Sequence, residues 1–158
     1  MGWSVQLPPL DERELGFLRE LTARGVQFVI LGMSAAVLQG ATGTTQDVDL
    51  WFEDPADPRI AQAARAVGGL YVSGSFGMQP PTIGGALGDR FDVVTHAHGL
   101  GTFADELPAT VEISLQGVPV RLLTVERIAA SKRATGRPKD LAQLPMLEAL
   151  LAARSVED

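Results

Sequence analysis

Two aspartates stand one residue apart in "TTQDVDLWFED" (44–54), where Asp47 and Asp49 lead straight into Leu50, Trp51 and Phe52. Charge beside an apolar core is costly unless something compensates it. Read as a strand over 47–52, the stretch places alternate side chains on one face. Asp47 and Asp49 then lie together, and Val48, Leu50 and Phe52 fill the buried face. Trp51 follows the aspartates to a place the final helices can cover. A third carboxylate, Asp92, interrupts the apolar "RFDVV" of a strand over 90–96. If the two strands are neighbours, three carboxylates crowd one place, and like charges that close cannot all stay ionised without compensation. A hard divalent ion removes the conflict, since Mg²⁺ (or Mn²⁺) takes a few carboxylates together with phosphate oxygens. Two such ions roughly 4 Å apart can orient an attacking oxygen and steady a leaving pyrophosphate. The plain alternative is a D-x-D pair solvated at a loop–strand junction.

The surroundings favour the metal reading. "FVILGMSAAVLQG" is a strand over 26–31, a tight Gly32-Met33-Ser34 turn and a short helix over 34–40. A helix N-terminus offers free N–H groups and a partial positive charge to a phosphate, and Ser34 adds a hydroxyl. Gly32 and Ser34 read equally as a turn and an N-cap. Lys132, Arg133, Arg137 and Lys139 form the densest cationic cluster among 13 basic and 19 acidic residues. They can balance triphosphate charge or simply solvate a helix end, and Asp140 can pair with Arg137 or Lys139. His96 and His98 lie in phase with Asp92, as an H-x-H metal pair or as the lining of an acceptor side. "GSFGMQPPTIGG" (74–85) is either a surface connection or a flank of the cleft.

Elements around these residues follow from periodicity and punctuation. Helices are expected over 10–25, 58–69 and 124–136, the last bounded by Thr124 and Gly136, and a final helix starts at Pro138 with Pro145 inside it and "SVED" frayed. A short strand opens 70–88 and loop follows, and 110–123 reads as a hairpin turning near Gln116-Gly117. The fold class expected is α+β (mixed α/β), a small mixed sheet flanked by helices with C-terminal helices, in one domain over 1–158. Its core spans about 25–123 and its C-terminal helical part 124–153. The composition, 46% apolar and 20% charged, is that of an ordinary globular protein. No window approaches about 18 uninterrupted apolar residues, and no signal peptide is evident, so a membrane partner is not expected. The chain has no cysteine, which removes disulfides and thiolate metal sites and suits a cytoplasmic location. A formal net charge of −6 argues against sequence-blind binding of nucleic acid.

Taken in order, the strand, G-M-S turn, helix, "T-x-D-V-D-L", lone strand aspartate and "LTVERIAASKRATGRPKDL" resemble the nucleotidyltransferase superfamily (polymerase-beta-like fold). The likeness spans about residues 25 to 144 and is nearest to the minimal and AbiEii-type bacterial proteins, some of which are toxins of toxin–antitoxin pairs. The resemblance implies that Gly32 and Ser34 form the phosphate turn and that Asp47 and Asp49 are the metal-binding pair. It makes Asp92 the third carboxylate and base for the attacking hydroxyl, places Thr45 just before the pair, and has Lys132 and Asp140 contact phosphates and organise the site. It further implies Mg²⁺-dependent transfer of a nucleoside monophosphate from an NTP, ATP included, to a hydroxyl of tRNA, a protein or a small molecule. An antitoxin or a second copy would be the partner. Three departures stand against the pattern: Met33 for a small residue, Gly43 for a frequent Arg, and Gln143 for a second acid after "KD". They support the alternative, a non-catalytic binding module that keeps the fold.

Overall fold

The computed structural model describes residues 7–74 and 80–157. In chain order the elements are α1 (Glu12–Ala23), β1 (Phe28–Leu31), α2 (Gly32–Leu38), β2 (Val48–Phe52), α3 (Pro58–Ala66), β3 (Gly69–Val72), β4 (Thr82–Gly85), β5 (Phe91–Val94), α4 (Phe103–Glu106), β6 (Thr110–Leu115), β7 (Val118–Leu123), α5 (Val125–Thr135) and α6 (Pro138–Glu157). Five strands make one mixed sheet in the order β5-β2-β1-β7-β6, and β3 with β4 forms a separate two-stranded sheet. β1 runs antiparallel to β2 and parallel to β7, while β2 runs parallel to β5. One end of the sheet is thus where β1 and β7 finish and β2 and β5 begin.

Alternation along the strands sorts the two faces. Val48 and Leu50 are fully buried and Phe52 and Phe91 nearly so. That face is covered by α1, whose Phe17 packs edge-on against Phe91 at 5.3 Å, and by β3, whose Tyr71 meets Phe52 at 6.0 Å. The face bearing Asp49 and Trp51 receives α4 and α5. Trp51 is covered by Phe103 of α4, ring centroids 5.4 Å apart, and not by the final helices. No helix among the described residues is long and apolar enough to cross a membrane.

Several expected elements shift. The helix after β1 starts at Gly32, with Leu31 at the cap position and no side-chain cap, so Ser34 lies inside the helix. The 70–88 stretch holds a second strand, β4, paired with β3, because Ile83 finds a buried place against the core. Of the 74–85 segment, residues 75–79 lie outside those described. α6 runs through Pro145 to Glu157, so the expected fraying of "SVED" is not found up to that residue, and Asp158 lies outside the described residues. Helix α4 was not anticipated; its capping box, Thr102 with Asp105, was the available signal.

A buried ion pair ties α4 to α5. The Glu106 carboxylate accepts from Arg127 Nε at 2.7 Å and Nη2 at 2.9 Å, and from the Gly101 amide at 2.8 Å. Those hydrogen bonds hold the Glu106 carboxyl below its usual range despite burial. Glu106→Gln is expected to cost about 1–2 kcal/mol in urea unfolding at pH 7, the outer half of the pair being solvent-screened. A depressed folded-state pKa contributes stability above the ordinary carboxylate range and loses it as pH falls. The difference between variant and parent should therefore shrink toward acid pH.

Candidate active site

Parallel pairing of β2 with β5 sets Asp49 directly beside Asp92, and Asp47 sits just before β2 on the same side. This is the crowding that the two strand motifs anticipated. Asp49 is the most enclosed of the three; Asp47 and Asp92 are exposed. Burial, then the charges of Asp92 and Asp47, push the Asp49 carboxyl from 3.8 up to about 6, with Lys132 and Lys139 pulling the other way. Asp92 is also raised, by burial, by the charge of Asp47 and by a carboxyl–carboxyl hydrogen bond with it.

Gly32 and Ser34 serve Asp49. Gly32 has φ +68° and a Cβ there would stand 2.5 Å from Asp49 Oδ2, so only glycine fits beside the carboxylate. Ser34 has no exposed surface; its hydroxyl donates to the Leu31 carbonyl at 2.9 Å and accepts from the Asp49 amide at 3.2 Å. Burial inside α2 engages this hydroxyl in orienting β2, whereas the resemblance has it meet phosphate. Thr45 donates to the Asp47 carbonyl at 3.3 Å and steadies the approach to the pair.

The cations arrive from α5 and α6. Asp140, 1% exposed, accepts from Arg137 Nε at 2.7 Å and Lys132 Nζ at 3.5 Å. The Arg137 hydrogen bond, with help from both charges, keeps its carboxyl below the usual range. Asp140 is thus an organiser of cations, and its partners are Lys132 and Arg137 rather than Lys139. Lys132 lines the same cleft as Asp140 and Asp49, and its charge acts on both carboxyls. Gly32, Asp49, His96, His98, Lys132 and Arg137 line one cleft of about 210 Å³. The two imidazoles meet edge-on at 5.0 Å, on a loop held to α5 by Gly99, where a Cβ would collide with Ala134. They lie on the cleft wall.

Among the described residues no three His, Asp or Glu groups are gathered tightly enough to make a ready-built metal cage. Mg²⁺ is held by one or two carboxylates with phosphate oxygens completing its shell. Hard carboxylate donors with raised pKa values, facing Lys132, fit an ion that arrives with a nucleotide.

A raised carboxyl opposes folding once it ionises. The native Asp49 keeps its proton to about pH 6, whereas the unfolded chain releases it near 3.8, so stability falls as pH rises across that window and stays reduced above it. Asp49→Asn should raise stability on the order of 2 kcal/mol at pH 7.5 in chelator, and hardly at all at pH 3.5. Thermal melts at both pH values check it; equal gains at the two would remove the electrostatic account.

No protein-family model matches the chain, and a search of curated proteins found no match. Solved structures do match. The crystal structure of ANT(2'')-Ia in complex with adenylyl-2''-tobramycin aligns with a TM-score of 0.57 at 19% identity, over 90% of this chain and 89% of that one. The solution structure of the antibiotic-resistance factor ANT(2'')-Ia gives 0.58 at 20%, over 92% and 87%. An antigenic nucleotidyltransferase-like protein from Paracoccidioides brasiliensis gives 0.55 at 17%, over 92% and 78%. At such identities the likeness speaks for backbone architecture: this chain has the fold of the nucleotidyltransferases, a five-stranded mixed sheet flanked by helices.

Proposed function

We propose that the protein is a divalent-metal-dependent nucleotidyltransferase that moves a nucleoside monophosphate from an NTP to a hydroxyl acceptor. The observation that carries this reading is the Asp49–Asp92 register pair with Asp47 beside it, faced across a cleft by Lys132. Asp47, Asp49 and Asp92 would hold Mg²⁺ or Mn²⁺, which supplies charge neutralisation at the phosphate oxygens when bound. The acceptor oxygen forms a bond to the α-phosphorus, the bond from that phosphorus to the α–β bridging oxygen breaks, and pyrophosphate leaves. The hydroxyl proton passes to Asp92, which stands beside Asp49 in the β2–β5 register. Lys132 and Lys139 offset the charge of the departing pyrophosphate, and the uncapped first turn of α2 adds amide donors. Positioning and charge compensation do most of the work in such transfers.

The acceptor is a hydroxyl of tRNA, a protein or a small molecule, and an NTP substrate suits a cytoplasmic location. An AbiEii-type role would make the protein the toxin of a pair, with an antitoxin as partner. A second reading, a non-catalytic module, is favoured by the burial of Ser34 and by Met33, whose methyl lies beside Gly43. Calorimetric titration with each NTP separates the two. Magnesium-dependent binding that weakens at least about tenfold in Asp49→Ala and in Lys132→Ala is expected of the transferase. Binding indifferent to magnesium and to both substitutions would leave the module as the better account.

A further inference from the structure

The three carboxylates are not held alike. Asp49 and Asp92 stand on paired rungs of β2 and β5, where the ladder fixes their backbone. Asp47 precedes β2 and is exposed, so no rung carries it. Its carboxyl nevertheless meets that of Asp92 in a hydrogen bond. Something other than the ladder aims it there.

Arg90, the residue before β5, grips the chain on both sides of Asp47. Its Nη1 donates to the Gln46 carbonyl at 3.1 Å, and its own carbonyl accepts from the Val48 amide at 2.7 Å. The first contact holds the peptide unit entering Asp47, and the second holds the unit leaving it. Peptide units are planar, so fixing both of them fixes the direction of the Asp47 Cα–Cβ bond. The Thr45 hydroxyl adds a bond to the leaving unit, through the Asp47 carbonyl at 3.3 Å.

The guanidinium is anchored in turn. Nη1 also donates to the Pro8 carbonyl at 3.0 Å, Nη2 donates to the Pro9 carbonyl at 3.2 Å, and Nε lies 3.3 Å from Glu14 Oε1. The same Glu14 oxygen accepts from the Asp11 amide at 2.9 Å in the capping box of α1. With the Arg90 side chain only 14% exposed, water is largely excluded from competing for these contacts. A planar fork of fixed donors serves three carbonyls and a carboxylate at once, which the single ammonium of a lysine does not. Among the described residues Arg90 pairs with Glu14 and with no aspartate of the site, so its hold on Asp47 runs through the backbone.

We propose that Arg90 is a positioning residue of the metal site: by clamping the peptide units on either side of Asp47 it aims that carboxylate at Asp92, where the two can share a divalent ion. The inference rests on the transferase reading above and adds a residue that touches neither metal nor nucleotide. Partners that orient metal-binding side chains typically carry about ten- to a hundredfold in metal affinity.

The test uses the full chain, Mn²⁺ as the probe and a non-hydrolysable ATP analogue. Bound Mn²⁺ is read from the loss of the free-ion electron paramagnetic resonance signal, and analogue binding from calorimetry. Arg90→Lys keeps a cation beside Glu14, and Arg90→Gln removes it. Each should raise the Mn²⁺ concentration for half-saturation at least about tenfold. At saturating Mn²⁺ the analogue should bind both variants within about twofold of the parent. Should Arg90→Gln not fold, Arg90→Lys alone decides. Asp11→Ala is the structural control, since it breaks the capping box behind Glu14 without touching Gln46 or Val48. It should lower the melting temperature and leave the Mn²⁺ requirement at the parent value. A requirement raised as much by Asp11→Ala as by Arg90→Lys makes Arg90 a staple of the N-terminal segment and overturns the proposal. So does a parent-like requirement in Arg90→Lys, or an analogue affinity that stays weakened at saturating Mn²⁺. A parent protein that takes up no Mn²⁺ with the analogue sinks the transferase reading and this proposal with it, a result distinct from failure in the variants alone.

Discussion

The Asp49–Asp92 pair places like charge on like charge at a half-enclosed sheet end, and the rest of the molecule is arranged around that conflict. Neither carboxyl can move away, because the β2–β5 ladder fixes the backbone beneath both. What changes is the proton inventory: Asp49 and Asp92 are harder to ionise than ordinary aspartates. A site that repels its own charges at neutral pH gains most from whatever cation arrives, which ties the stability cost to the proposed chemistry.

Three devices hold that arrangement. Ser34, buried in α2, clamps the Asp49 amide, and Gly32 leaves room for the carboxylate where any side chain would collide. On the far wall, Asp140 gathers Lys132 and Arg137 from two helices and aims positive charge back across the cleft. α4, fastened to α5 through Glu106 and Arg127, covers Trp51 and builds the wall of a second space beside the cleft. The two spaces share an edge at His96, two residues beyond the end of β5.

Much of the frame was legible from local rules. Thr124 and Gly136 bound α5 as the cap residues indicate, and the β6–β7 hairpin turns at Gln116-Gly117. The period-two pattern of 47–52 correctly sorted the aspartates from Val48, Leu50 and Phe52. Misreadings arose where burial outweighs propensity. β4 is glycine-rich and looks like loop until Ile83 meets the core, and Ser34 looks like a cap until α2 begins two residues earlier. Strand alternation puts Trp51 on the aspartate face, but it carries no information about which distant segment folds back over it, here α4.

Residue identity and spacing by themselves determined the presence of three carboxylates at or beside strands, a glycine-serine turn ahead of them and a cationic helix end behind. These are local facts, since side-chain alternation and helix capping act over a few residues. Tertiary structure alone decided that β5 lies beside β2 in the register that joins Asp49 to Asp92, and that Asp140 draws in Lys132. It alone decided, too, that Glu53 and Asp105 share a cavity with His96. Those juxtapositions join residues of different elements through packing of a common core, and packing is a property of the whole chain that no short window encodes.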